Sequence, residues 1–556
     1  VAAVLAAGVA PGAAYADFGT DYHDPISAER PLVRPDTPHC TTTVMRDQPF
    51  ANGYGSPPDT PYTSTVAVPA ACAKGPWAMV ALDIGGTVRG VQYDRLVQVG
   101  VGGVEVMLSS TPEPSHDGIG WHVAKDVTRY AALFGGPQPF VFDLANVTNS
   151  TYTGVFRVTA TFTFYRATRA HPAPHTADKV LTVSNGATAG SSWLTLTGDA
   201  PRAGRDLVFP RNTSAVTAEV YTRGGGACEE FWYGNLPDDA ARRFPGLCGT
   251  GPYREVGVYV DGRLAGVAVP FPVVYTGGWN PLLWRPVPAP FALDHTGYRV
   301  DLTPFVGSLV DGRAHRVELG LGGGTPEAGD SWTAQANLFV DTDHGTAQTR
   351  GALTGYRVAP AAAISESTTT DTAGNPTYTT TATRHDQVSG WVAGSAGTRT
   401  VTDRTDLRFT SAQALYLPDG AHSVLRNDTD LRQATTTQRP GAPPQSQLTH
   451  ADYPFGADYT YTPAADGGFA LVLAPLTVGY HRTDTSTEGR RVTGRSATDE
   501  TYTGRADYAK DGTGAITRAT ATATERYDTT GPPGCYHHVL SVADGWPTAD
   551  RVSYRC

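Results

Sequence analysis

The sequence predicts an all-β protein with two adjacent jelly-roll-like β-sandwiches followed by a Thr-rich C-terminal β region. Three observations predict it. Of 556 residues, 62 are Gly and 42 Pro, and strong helix formers are scarce outside a few Ala runs, which favours short strands joined by tight turns. Apolar and polar residues alternate along many runs, the period of a half-buried strand. Two series of such strands each contain a similar short motif. The expected divisions are residues 1–16 as the remnant of a signal segment, 17–170 and 171–345 as the two sandwiches, and 346–556 as the C-terminal β region.

At the N-terminus, Val1 to Ala14 is rich in Ala and Val and runs into Ala14-Tyr15-Ala16, a small-x-small cleavage pattern of exported proteins. A short buried helix is the competing reading. No other stretch reaches the ~20 apolar residues that a spanning helix needs, so the expected protein is secreted and independent of membranes; a monomer is the expected state. Six cysteines with no C-x-x-C pair fit an oxidising compartment. Of the fifteen possible connectivities of six cysteines, the preferred one joins Cys40 to Cys72, Cys228 to Cys248 and Cys535 to Cys556.

The first strand series contains Trp77 to Ile84, Leu96 to Leu108 and Val155 to Tyr165. The second contains Val216 to Tyr221, Arg254 to Val260, Leu264 to Val269 and Ala336 to Val340. Asp126-Val127-Thr128-Arg129-Tyr130 in the first and Asp301-Leu302-Thr303-Pro304-Phe305 in the second read as copies of one turn. A Gly-rich hairpin precedes each copy, at Val99 to Val106 and at Val258 to Ala265. Ala167 to Thr176 reads as a linker between the sandwiches. Beyond residue 345 Thr becomes frequent within long alternating runs such as Arg399 to Phe409 and Phe469 to Tyr480, which suits solvent-facing strands in one or two further β domains.

A formal charge of −10 with no basic stripe offers nothing to displace counterions from phosphates, which excludes nucleic acid as a main partner. There is no H-E-x-x-H, P-loop or G-x-S-x-G element, and His116/His122 and His537-His538 lack acidic neighbours at ligand spacing. The expectation is no metal and no cofactor. What remains is carboxylates beside aromatics: Tyr93-Asp94-Arg95, Cys228-Glu229-Glu230-Phe231-Trp232-Tyr233, and the run from Pro270 through Trp279 and Trp284-Arg285. Flat aromatic faces pack on sugar C–H groups, carboxylate and Arg bind hydroxyls, and acids among aromatics can stay protonated near neutral pH. The plainer readings are an ion pair at a strand end for Asp94-Arg95 and corner packing for Trp279 and Trp284. These features alone do not identify a reaction.

Several of these segments, taken together and in order, resemble the A-type peptide N-glycanases. The likeness runs through Gln92-Tyr93-Asp94-Arg95-Leu96, Gly102-Gly103-Val104-Glu105, Ser109 to Pro114, Lys125 to Tyr130, Thr151 to Gly154, Glu229 to Asn235, Arg254-Glu255-Val256, Trp279 to Pro286 and Asp301 to Phe305. It covers residues 30 to 345. Peptide N-glycosidases of the F type are distantly similar. The resemblance implies two jelly rolls and hydrolysis of the amide between Asn and the first N-acetylglucosamine of N-linked glycopeptides and glycoproteins, leaving Asp and a glycosylamine. It makes Asp94 the principal catalytic group, matched to a Trp-Asp-Arg-Tyr segment, and Glu230 the second acid, matched to the Glu of a Cys-Ala-Glu-Trp-Cys segment. The third acid of the distant group falls near Phe142 to Asn146, with Asn146 the preferred match and Asp143 in the same window; Arg223 stands near the place of a Trp. Arg95, Asn146, Trp232, Trp279, Trp284 and Arg285 are the expected substrate-binding residues. An endoglycosidase with a similar carboxylate pair and a non-catalytic glycan-binding β protein are the alternatives.

Overall fold

A computed structural model describes residues 21–51, 61–532 and 534–556; the expected signal segment lies outside them. The first sandwich comprises β1 (His39–Phe50), β2 (Tyr62–Val66), β3 (Trp77–Val88), β4 (Leu96–Val101), β5 (Val104–Ser110), β6 (Ile119–Asp126), β7 (Gln138–Leu144) and β8 (Phe156–Arg166). Its sheets run β1-β8-β3-β6 and β2-β7-β4-β5. Inward-facing Val80, Leu82, Val99, Phe140, Phe162 and Phe164 fill the space between them, each at most 1% exposed and each contributing about 1.5–3 kcal/mol of burial.

The second sandwich comprises β9 (Lys179–Val183), β10 (Leu194–Leu196), β11 (Arg202–Leu207), β12 (Thr213–Gly225), β13 (Arg254–Val260), β14 (Arg263–Ala268), β15 (Tyr298–Asp301), β16 (His315–Gly323) and β17 (Ser331–Thr342). Its sheets run β10-β17-β12-β15, with β9 added on β17, and β11-β16-β13-β14. Counted from β10, this is the strand order of the first sandwich, so both are jelly rolls of one plan.

The motif read as a repeated turn performs the same job in both. Thr128 N donates to Asp126 Oδ1 at 2.8 Å and Thr303 N to Asp301 Oδ1 at 2.9 Å. Each Thr hydroxyl then accepts from the third strand of its own sandwich, from Val80 N at 2.8 Å and from Val216 N at 3.3 Å. The two hairpins also match. Gly102-Gly103 and Asp261-Gly262 all have positive φ, the conformation of the two-residue turn that follows strand twist.

The sandwiches dock through a polar seam. Asn337 Nδ2 donates to Glu105 O at 2.6 Å and Gln335 Nε2 to Gly103 O at 2.9 Å. Lys125 Nζ donates to Asp294 at 2.6 Å, and Arg129 Nη1 to Glu219 at 2.6 Å. Ser110 N donates to Ala292 O at 2.9 Å, and Thr276 Oγ1 to Thr111 O at 2.7 Å. Such a seam fixes register as well as proximity, because each misplaced buried group forfeits about 1–3 kcal/mol.

The C-terminal region is one antiparallel sheet of 12 strands: β18 (Arg350–Arg357), β19 (Ala363–Thr370), β20 (Pro376–Gly394), β21 (Gly397–Leu415), β22 (His422–Gln438), β23 (Gln445–Asp452), β24 (Phe455–Pro463), β25 (Phe469–Glu488), β26 (Arg491–Lys510), β27 (Ile516–Thr530), β28 (Tyr536–Ala543) and β29 (Trp546–Ser553). Its apolar face lies on the second sandwich, where Phe455, Tyr459 and Tyr502 are nearly fully buried; Thr fills much of the other face. Disulfides join Cys40 to Cys72, Cys228 to Cys248 and Cys535 to Cys556, the connectivity preferred from spacing. Among the described residues no helix is long and apolar enough to cross a membrane.

Candidate active site

All strand pairings in the two sandwiches are antiparallel, so strand directions alternate and connections leaving odd-numbered strands of a jelly roll emerge at one end. Asp94 lies between β3 and β4, Glu113 between β5 and β6, and Asn146 between β7 and β8. In the second sandwich Glu230 follows β12 and Trp279 to Arg285 follow β14, the equivalent third-to-fourth and fifth-to-sixth connections. The shared plan therefore delivers the candidate residues of each sandwich to equivalent ends, and docking brings the two sets together.

Asp94 sits where the ladder of β4 and β5 runs out. Leu96 pairs with Ser110, Thr111 N donates to Arg95 O at 2.7 Å, and Asp94 N then donates to the Glu113 carboxylate at 3.2 Å. Burial lifts the Asp94 carboxyl above the usual Asp range, while the Gly277 N–H, the Thr276 hydroxyl and Arg95 pull it back. Gly277 comes from the second sandwich, and a side chain there would displace the carboxylates: a Cβ would stand 2.7 Å from Asp94 Oδ1 and 3.3 Å from Glu113 Oε2. Glu113, 1% exposed, is pushed up to about 8 by burial and by the Asp94 charge beside it. The sequence reading did not single it out. Its signal was an acid between two prolines, Thr111-Pro112-Glu113-Pro114, inside one of the resembling segments.

The two adjacent glutamates of the second sandwich divide. Glu229 is fully buried and held by Arg254, Nε to Oε2 at 2.8 Å and Nη2 to Oε1 at 2.5 Å, and by Trp332 Nε1 at 2.5 Å. Glu230 lies outside that cluster and feels the charge of Asp94. It is pushed up to about 7 by burial and by Asp94, with Arg223 opposing. The backbone before it is pinned by the Cys228–Cys248 disulfide and by Asp330, which accepts from Ala227 N and Cys228 N at 2.8 Å each. Glu230 lines a cavity of about 20 Å³ with Arg223, Trp232, Tyr275 and His295, space for about one water. His295, stacked on Tyr275 at 5.5 Å, is pushed down to about 3 by burial and by Arg223, so its imidazole stays neutral. A larger cleft, ≈ 200 Å³, between the second sandwich and the C-terminal sheet holds Arg299, Arg482, Asp403 and Asp484 and contains none of these acids.

Arg95 is fixed beside Asp94, its Nη2 donating to Gln92 Oε1 at 2.5 Å and its Nε to Asn146 Oδ1 at 3.3 Å. Asn146 is fully buried, and its Nδ2 donates to Phe50 O at 2.9 Å and Gly154 O at 3.0 Å. It braces Arg95 from behind rather than facing a ligand, and the site needs an amide there because two carbonyls demand a donor. The acid that stands with Asp94 is Glu113; Asp143 is lifted by burial and faces Arg223. Arg285, 3% exposed, bears electrostatically on Glu113.

The tryptophans correct the expectation of open sugar platforms. Trp279 and Trp284 are 5% and 1% exposed, because the C-terminal sheet covers them: Trp279 meets Phe455 at 5.5 Å and Tyr459 at 6.0 Å, and Trp284 meets Tyr502 at 4.8 Å. Trp284 Nε1 donates to Gly278 O at 2.7 Å, so this tryptophan braces the segment that carries Gly277. Corner packing was the right reading of both. Trp232, 6% exposed, packs on Trp332 at 6.0 Å and shows only part of itself to the Glu230 cavity. Among the described residues no group of three or more His, Cys, Asp or Glu is arranged to hold a metal ion.

A protein 30% identical over 469 residues, 81% of this chain and 79% of the relative, is the peptide-N4-(N-acetyl-beta-glucosaminyl)asparagine amidase A of Prunus dulcis. Among solved structures, PNGF-II matches at 14% identity and TM-score 0.38 over 55% of this chain and 66% of that one. Recombinant peptide:N-glycanase F matches at 13% identity and TM-score 0.36 over 54% of this chain and 96% of that one. The model of the family described as peptide N-acetyl-beta-D-glucosaminyl asparaginase amidase A matches residues 29–359, which span both sandwiches and include Asp94, Glu113 and Glu230. The chain belongs to that amidase A family.

Proposed function

We propose that this protein is a glycoamidase that hydrolyses the amide bond between Asn and the first N-acetylglucosamine of N-linked glycans, giving Asp and a glycosylamine. Family membership supports the reaction. The observation that supports the site is that Asp94 and Glu230, on equivalent connections of two docked jelly rolls, come near enough for the Asp94 charge to raise Glu230, with the Glu113 carboxylate bound to Asp94 N.

Amide hydrolysis needs a base for water, stabilisation of the tetrahedral oxyanion and a proton for the departing nitrogen. Asp94 is the base: the Gly277 N–H, the Thr276 hydroxyl and Arg95 pull its carboxyl back towards the charged form, whereas Glu113 and Glu230 are pushed up to about 8 and about 7. It takes a proton from water as the oxygen adds to the Asn side-chain carbon. Arg95 and Arg285 stabilise the oxyanion. Glu230, protonated below about 7, gives its proton to nitrogen as the C–N bond breaks and holds the first sugar. The proton on Asp94 then returns the site to its starting state through solvent and Glu230. Glu113 stays neutral, which allows Asp94 to carry the only charge of the pair.

Three disulfides suit folding in an oxidising compartment, in keeping with an exported enzyme. Both acids come from one chain, so a monomer suffices. The test is incubation with a denatured N-glycopeptide in heavy-oxygen water. Conversion of the glycosylated Asn to Asp carrying one heavy oxygen, absent with Asp94→Asn, is the expected result. A peptide keeping one N-acetylglucosamine on intact Asn would establish an endoglycosidase instead, and an unchanged peptide across several glycan types would establish a binding protein.

A further inference from the structure

The segment from Asp21 to Pro38 precedes β1 and touches all three parts of the molecule. Its Asp24 accepts from Gly120 N at 2.8 Å in the first sandwich. Ile26 N donates to Pro286 O at 3.0 Å, beside Arg285 of the second. His23 N donates to Gly545 O at 3.0 Å and Ala28 N to Glu525 at 2.8 Å, both in the C-terminal sheet. The residue these bonds surround is Tyr22, 5% exposed. Its ring lies 5.0 Å from the Arg285 guanidinium carbon, and its hydroxyl has no hydrogen-bond partner among the described residues. Glu113, Asp94 and Asp24 are the other charges that bear on it. The wall behind Tyr22 is the β28–β29 turn. Gly545, with φ +85°, stands so close that a Cβ would lie 2.6 Å from Tyr22 Cβ.

A buried hydroxyl without a partner is costly and persists where a site demands it. We propose that Tyr22 is a positioning residue of the amidase site, sealing Arg285 and Glu113 from water, and that the C-terminal sheet acts in the reaction by clamping Tyr22 through Gly545. The inference rests on the assignment of Asp94 and its neighbours given above. It assigns a role to the C-terminal third, which otherwise only covers the second sandwich.

Its consequence is read in a pH profile. Around Glu113 stand Asp94 and Arg95 from the β3–β4 connection, Arg285 from the β14–β15 connection and Tyr22 from the Asp21–Pro38 segment; Asp24 also bears on Tyr22, and Asp94 bears on Glu230. Removing the ring admits water, lets Glu113 ionise at lower pH, and destroys the state in which Asp94 alone is charged.

The experiment compares kcat/KM against pH on a glycopeptide for the full chain and for Tyr22→Ala, Tyr22→Phe, Gly545→Ala, Gly397→Ala and Asp94→Asn. Tyr22→Ala is expected to move the Glu113 step of the alkaline limb, the one above the Glu230 step, down by roughly one pH unit with KM little changed. Tyr22→Phe, which keeps the ring, should leave the limb in place and lower kcat by less than about tenfold. Gly545→Ala should reproduce the shift from a position in the C-terminal sheet. Gly397→Ala, at φ +89° in another turn of that sheet with nothing within 4 Å of its Cβ, should not. If Gly545→Ala fails to fold, Tyr22→Leu, which keeps bulk without a flat face, decides by the same readout. Unmoved limbs in Tyr22→Ala and in Gly545→Ala or its substitute, alongside an inactive Asp94→Asn, overturn this inference alone. An active Asp94→Asn overturns the site itself.

Discussion

The two jelly rolls share strand order, turn and hairpin, yet they hold their acids in opposite ways. The second sandwich holds Glu230 with its own resources: the Cys228–Cys248 disulfide, the Glu229–Arg254–Trp332 cluster and the Asp330 cap. In the first, Asp94 depends on Gly277 and Thr276 from the other sandwich. One half is a rigid wall, and the other becomes chemically competent by being docked. A repeated fold thus yields two unlike groups, because the charge state of each acid is set by what packs against it and not by its place in the repeat.

The largest break in this comparison is at the acids themselves. Asp94→Asn should lower kcat/KM by about 10³–10⁴ and Glu230→Gln by about 10², measured by heavy-oxygen incorporation into the peptide. Glu230→Gln should also move the alkaline fall of its residual activity from near pH 7 to near pH 8, since the group pushed up to about 7 is gone and the Glu113 step remains. Arg254→Met strikes the rigid half. It leaves Glu229 charged and unpaired in the core, a loss of about 3–5 kcal/mol that chemical denaturation would read. Gly277→Ala strikes the dependent half, where a Cβ would meet Asp94. It should cost about 10²-fold in kcat with a melting temperature within a few degrees of the parent, and an unchanged kcat would show that Asp94 does not depend on the seam.

The smallest expected effect is the pH dependence of stability. Glu105 and Glu113 are pushed up to about 8, and Glu230 to about 7, by burial. A carboxyl raised in the folded state keeps a proton that the unfolded chain gives up. Stability from these groups is therefore intact below about pH 4.5 and falls as pH rises towards 8. Asp343, held low by Ser395, acts in the opposite sense in acid. The melting temperature followed by circular dichroism should be highest near pH 5 and lower at both pH 3 and pH 8.

What could be read from the sequence was what is local. The Asp-x-Thr turn, the Gly-rich hairpins, the alternating strands and the disulfide couples all lie within short windows, and each appears in the structure. Asp94 and Glu230 came from the family resemblance, which marks residues but not their company. Glu113 carries no periodicity, and its meaning depends on Asp94 and Gly277, one of them 164 residues away in the chain. The destination of Trp279 and Trp284 depended on Phe455, Tyr459 and Tyr502, whose alternating strands announce a buried face without saying what it covers. Tyr22 was invisible for the same reason: only the β28–β29 turn and Arg285, both distant in sequence, give it a function.

The polar seam has a consequence in time. As the chain is made from its N-terminus, the first sandwich can complete its own sheets once β8 has emerged, yet its Asp94 then has no Gly277 to meet. The amidase therefore comes into being later than the fold that carries its base, when β14 and β15 have been made and docked, and a nascent or proteolysed first half would be an ordered but silent protein. In refolding, activity should lag behind the strand signal by the time the seam takes to close.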